Sequence, residues 1–144
     1  MFYAWDVTVP ANTSDTAPIE ETLKLTKGTV TKVSIKFPAG CSGLVKVRLY
    51  YEEFQLVPLT KGEYVTGDDE TVDAEMLYEL RSRPYALKLR ASSPGTSYNH
   101  TITVRVTLMP TAYAAAWLYL AKFVDAVTTL IGLKKPEEEK PIRG

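Results

Sequence analysis

The sequence predicts an all-β fold, an antiparallel β-sandwich of jelly-roll or immunoglobulin-like type, followed by one C-terminal amphipathic α-helix. Three observations carry this expectation. Apolar and polar residues alternate with a period of two in segment after segment, the pattern of a strand with one buried face. Turn residues separate those segments about every ten positions, as in a sandwich. After Pro110 the period changes once, to that of a helix.

In chain order, FYAWDVTV sets Tyr3, Trp5, Val7 and Val9 against Ala4, Asp6 and Thr8, and Pro10-Ala11-Asn12 ends it. TLKLT offers Leu23 and Leu25 before Lys27-Gly28. VTKVSIKF places Val33, Ile35 and Phe37 on one face and Lys32, Ser34 and Lys36 on the other, closed by Pro38-Ala39-Gly40. LVKVRLYY repeats this with Val45, Val47 and Leu49 against Lys46, Arg48 and Tyr50. Shorter strands are expected at FQLVPL and AEMLYEL, separated by turns at Lys61-Gly62 and Gly67-Asp68-Asp69. ALKLRA turns Leu87 and Leu89 inward and Lys88 and Arg90 outward; after the Ser92-Ser93-Pro94-Gly95 turn, HTITVRVTL buries Ile102, Val104, Val106 and Leu108. The absence of a Cys–Trp–Cys pattern argues against an antibody-type domain.

The last segment reads differently. Tyr113, Trp117, Leu120, Val124, Val127 and Ile131 are spaced four, three, four, three, four, a heptad stripe sustained for almost three heptads. Pro110-Thr111 opens the helix, Gly132 closes it, Lys134 and Lys135 suit its negative end, and Pro136 forbids continuation. The expected organisation is a sandwich over 1–110, a helix within 111–133 and a charged tail over 134–144. A membrane span is disfavoured: Lys122 and Asp125 each cost roughly 2.5–3.5 kcal/mol near a bilayer centre, against about 0.3–0.6 returned by each Leu, Ile, Phe or Val. Two roles remain for the stripe. It covers the chain's own sandwich, or it buries area between copies as the interface of a dimer or trimer; the alanines and Leu118 opposite the stripe favour the second.

A chain of 144 residues is long enough to bury a core without metals or disulfides. Its 17 Lys and Arg balance 17 Asp and Glu, so the total charge favours no nucleic acid and does not keep copies apart. One cysteine excludes an intrachain disulfide, and MFYAWDVTVP is not read as a signal peptide.

Chemistry is poorly represented. His100 is the single histidine, Cys41 lies in PAGCSG away from any thiol-protease or redox motif, and no glycine-rich phosphate loop precedes a helix. The acidic run GDDETVDAE lacks calcium-loop spacing and reads as a solvated turn. No catalytic residue, metal site or cofactor is expected, and the chain is not read as an enzyme. Lys32, Lys36, Lys46, Arg48, Lys88, Arg90 and Arg105 lie on outward strand positions; on one sheet they would form a basic partner face, and otherwise they serve solubility. Tyr50, Tyr51, Phe54, Tyr64 and Tyr78 are candidates for a sugar-stacking platform only if the fold sets them side by side.

The stretch GTVTKVSIKFPAGCSGLVKVRLYYEEFQLVP joins a strand closed by Phe-Pro-x-Gly to a second long strand and a Gln-x-x-Pro segment. It resembles the small jelly-roll decoration, cement and vertex proteins of tailed phages and archaeal viruses, over about the first 109 residues. The resemblance implies a non-enzymatic structural protein that oligomerises on a larger protein shell, located in the virion. A carbohydrate-binding or adhesion module, with a cytoplasmic location as the alternative to the virion, is the rival expectation.

Overall fold

The computed structural model describes the backbone of residues 1–132 and the side chains of 1–110 and 116–132. Its elements are β1 (Phe2–Val9), β2 (Ile19–Lys24), β3 (Gly28–Phe37), β4 (Lys46–Tyr51), β5 (Phe54–Val57), β6 (Glu70–Leu80), β7 (Ala86–Ser92), β8 (His100–Met109) and α1 (Thr111–Leu130). The chain divides into two units, Met1–Pro110 and the segment from Thr111 onward.

The first unit is a sandwich of two four-stranded antiparallel sheets, ordered β1-β8-β3-β6 and β2-β7-β4-β5. The strands pair as if one long hairpin had been bent at the β4–β5 turn: β4 with β5, β3 with β6, β2 with β7, β1 with β8. Rolling that hairpin brings β8 beside β3 and β7 beside β4. Two interleaved Greek keys result. This is the jelly roll, and it decides between the two sandwich types, since an immunoglobulin domain distributes its strands ABED and CFG.

The alternation read from the sequence supplies the core. Val7, Val9, Leu23, Val33, Ile35, Phe37, Val47, Leu49, Leu87, Leu89, Ile102, Val104, Val106 and Leu108 are all buried. The loops are stitched by side chains. Asn12, at φ 54°, donates its N–H to Thr96 Oγ1 (2.8 Å) and accepts from Gly95 N (2.9 Å), while Ser93 Oγ donates to Pro10 O (2.7 Å).

Two boundaries depart from expectation. The acidic run is a turn only to Asp69, at φ 51°; Glu70, Asp73 and Glu75 stand on β6, which is 11 residues long rather than the short strand AEMLYEL. Val72, Ala74, Met76 and Tyr78 give it an inward face, so the carboxylates at Asp73 and Glu75 take outward positions. In the second unit α1 stops at Leu130, short of the expected Leu133, because Gly132 takes φ 83°. Its N–H then bonds Thr129 O (3.2 Å), a left-handed helix cap open to glycine at little cost. Leu133, Lys134, Lys135, Pro136 and the tail over 134–144 lie outside the described residues.

Candidate functional site

The apolar stripe of α1 is exposed wherever it is described. Trp117 is 66%, Leu120 52%, Val124 55% and Ile131 66% accessible, and Val127 is the least open at 39%. The Tyr113 side chain lies outside the described residues. The sequence reading missed Tyr119, Phe123 and Leu130, which are also exposed. Phe123 and Leu130 are seven residues apart and widen the stripe on one side, a signal available from the same helical period. Thr128 and Thr129 turn their hydroxyls back to Val124 O (2.8 Å) and Asp125 O (3.0 Å), which satisfies them within the helix. Among the described residues no helix is long and apolar enough to cross a membrane.

The seven outward basic residues do not form one face. Lys32, Lys36 and Arg105 stand on the β1-β8-β3-β6 sheet; Lys46, Arg48, Lys88 and Arg90 stand on the other, with Arg48 directly opposite Arg90. The second group is largely occupied. Lys46 pairs with Asp15 (3.0 Å), while Lys88 and Arg90 share Glu20 (3.6 and 3.3 Å). Arg48 donates to Gly62 O (2.7 Å) and Glu63 O (3.0 Å) and lies 3.9 Å over the Tyr64 ring. Arg90 covers the Tyr50 ring at 4.6 Å. Arg48 fastens the 62–64 segment to the sheet surface, while Lys88 and Arg90 link β7 to Glu20 on the neighbouring edge strand β2.

Asp15 is the hinge of that cluster. The Ser92 hydroxyl (2.6 Å) and then Lys46 hold its carboxyl below the ordinary value of 3.8. A depressed carboxylate adds stability that is complete above that ordinary value and is lost as pH falls through the lower native one. Urea midpoints measured from pH 5 to pH 2 should therefore fall more steeply for the native chain than for Asp15→Asn; parallel slopes would remove Asp15 from the account.

Cys41 and His100, 59 residues apart, meet in the core with Sγ 3.8 Å from Nδ1. Both are buried, and burial followed by the Asp68 charge pushes the thiol pKa up. A nucleophilic cysteine needs the opposite shift and access. Tyr98 packs on His100 at 4.6 Å, and Gly40, at φ 95°, leaves room for the Tyr98 hydroxyl where a Cβ would stand. The five candidate aromatics fall into two groups: Tyr50 and Tyr64 face outward under arginines, whereas buried Tyr51 meets Tyr78 edge-on at 5.6 Å and Tyr78 stacks on the exposed Phe54 at 5.7 Å.

One feature of the sandwich was invisible in the sequence. Between β6 and β5 the sheets do not close, leaving a cleft of about 610 Å³ lined by Val33, Ile35, Leu56, Val65, Met76 and Tyr78 among others. Burial, with the neighbouring Tyr51 and Glu52, raises the Tyr78 phenol pKa.

No family model matches the chain. No curated protein matches it either. Among solved structures, that of tomato aspermy virus by X-ray crystallography is similar over 77% of this chain and 80% of that chain, at 13% identity and a TM-score of 0.42.

Proposed function

We propose that the chain is a non-enzymatic structural protein of a virus particle, which associates with copies of itself through α1 and decorates or cements a larger protein shell. The carrying observation is the exposed apolar surface of the helix. Trp117, Tyr119 and Phe123 are each about two-thirds open. An aromatic side chain buries roughly 150–250 Å², so these three alone leave about 300–500 Å² uncovered. Tyr119 lies on the far side of the helix from Trp117, but Trp117 and Phe123 join through Leu120 and Val124, also more than half open, into one surface of the order at which apolar patches mark contact sites, about 300–600 Å².

The occupant favoured is a second copy. A heptad stripe is complementary to itself, because knobs on one helix fit the holes of another, and a chain of zero net charge offers no long-range repulsion to such pairing. The virion assignment draws on the eight-stranded jelly roll, an architecture of viral capsid and lectin domains alike, and on the sequence resemblance to virion proteins. A sugar-binding module calls for a row of open aromatic faces; arginines over Tyr50 and Tyr64 and the burial of Tyr51 leave only the Phe54–Tyr78 pair of the five to offer one.

Light scattering of the full chain and of a chain stopped at Pro110, at several concentrations, tests the self-association. A dimer or trimer that becomes a soluble monomer on truncation supports the proposal. A full chain that stays monomeric at every concentration overturns it.

A further inference from the structure

We propose that the open edge of β6 receives an extended segment of a different protein chain, one that alternates apolar residues with lysine or arginine and adds a fifth strand to the β1-β8-β3-β6 sheet. The inference concerns the sandwich alone and does not depend on the helix.

The backbone comes first. β6 pairs with β3 on one side and is the last strand of its sheet, so among the described residues the N–H and C=O groups on its other side have no strand partner along its 11 residues. Edge strands are commonly protected by shortness, proline, charged side chains (lysine above all) or a bulge. ETVDAEMLYEL is long and has no proline or lysine; its protection is four carboxylates, which a basic strand would neutralise, and one register shift against β3 between Val30 and Lys32.

The inward face is equally unfinished. Val72, Ala74, Met76 and Tyr78 occupy core positions yet are only half-buried, because the cleft separates them from Leu56, Val57 and the 58–65 segment. A strand laid beside β6 would sit about 4.8 Å away and send every second side chain into that cleft. Main-chain bonds would supply affinity and the alternate apolar side chains specificity.

Charge selects the occupant. The outward positions of β6 are Thr71, Asp73, Glu75, Leu77 and Glu79, with three carboxylates and no base. Asp73 is engaged by Ser34 (2.6 Å) and Lys32 (3.8 Å), and Glu79 by Arg81 (3.4 Å). Glu75, on the cleft lining, makes no ion pair among the described residues. The partner that β6 already has, β3, places Lys32 opposite Glu75 and Lys36 opposite Thr71 while Val33 and Ile35 point inward. The free side would select the same pattern. A second copy of β6 is a poor occupant, since antiparallel self-pairing centred on Glu75 sets Glu75 against Glu75, and like charges directly opposite are destabilising.

The test uses the full chain and a capped seven-residue peptide of alternating lysine and valine. Controls are the same peptide with glutamate for lysine, one with a central proline, and sodium decanoate. Binding is read by calorimetry and by amide hydrogen exchange over Val72–Glu79. The lysine peptide should bind and protect the alternate β6 amides that do not bond β3. The glutamate peptide should bind at least tenfold more weakly, and the proline peptide should give no protection. In the Glu75→Lys/Glu79→Lys variant the preference should move toward the glutamate peptide. These carboxylates are exposed, so folding is expected to survive and is checked by the unchanged exchange of β8.

Four results overturn the proposal: no binding, equal binding of lysine and glutamate peptides, binding without β6 protection, or the same protection from decanoate, which would assign the cleft to a lipid. Protection of β6 that rises with protein concentration alone would assign the edge to a second copy and likewise overturn it.

Discussion

Replacing Trp117 and Leu120 together by aspartate is expected to leave the chain monomeric at concentrations where the native protein is associated. Trp117 and Leu120 are consecutive stripe positions on α1, both more than half exposed in one chain. Loss of a central aromatic anchor from a helix pairing costs roughly 2–4 kcal/mol, which is about 30- to 1000-fold in the dissociation constant. A buried aspartate adds a desolvation cost of its own. The variant should also lose helical signal, since an isolated helix of 20 residues is marginal in water without a packed face. Lys122→Gln, away from the stripe, is the control and should keep the native mass. An unchanged mass for the double variant would sink the self-association reading. A fall in thermal midpoint at unchanged mass would assign the stripe to the chain's own core.

Much of this fold is written in the period of its apolar residues. Val33, Ile35 and Phe37, or Ile102, Val104 and Val106, are buried where alternation put them, because a pleated strand has no other way to expose one face to water and the other to a core. Partner choice is not local in that sense. Nothing within HTITVRVTL says that it will lie between β1 and β3, so jelly roll and immunoglobulin types stayed equally legible until pairing was seen. β6 shows why an edge is hard to read. Its inward residues, Val72, Ala74, Met76 and Tyr78, include a small one, three of its outward residues, Asp73, Glu75 and Glu79, are acidic, and strand propensity scales disfavour Asp and Glu. The cleft beside it arises from two strands, β5 and β6, with the segment that follows β5, and has no sequence signature. The same holds for the contact between Cys41 and His100, which brings the β3–β4 loop to the start of β8, 59 residues away. The helix stripe was the reverse case. Its spacing is local, and only its lateral extension by Phe123 and Leu130 was missed.

Loops and core act on each other most visibly at Phe37, where the second large effect is expected. Phe37 is fully buried at the end of β3, in register with Glu70. Phe37→Ala should cost about 3–5 kcal/mol, because it loses the transfer energy of the ring and leaves a cavity that two hydrogen-bonded sheets cannot close. For a domain of this size that is a drop of roughly 10–20 °C in the unfolding midpoint. Leu77→Ala removes a side chain 79% exposed and should stay within about 0.5 kcal/mol.

The pairing of Phe37 with Gly67 makes the test sharper. A Cβ on Gly67 would stand 2.7 Å from Phe37 Cδ2, closer than packed carbons approach, so Gly67→Ala alone should cost about 1–3 kcal/mol through overpacking. In the Phe37→Ala background the ring is gone and the same methyl keeps only the Glu70 Cγ and Oε1 contacts at 3.0 Å, the outer part of a flexible side chain. The two losses should then fall short of additive by about 1 kcal/mol or more in a double-mutant cycle read by urea unfolding. Strict additivity would mean that the turn before β6 does not pack on the Phe37 ring in solution.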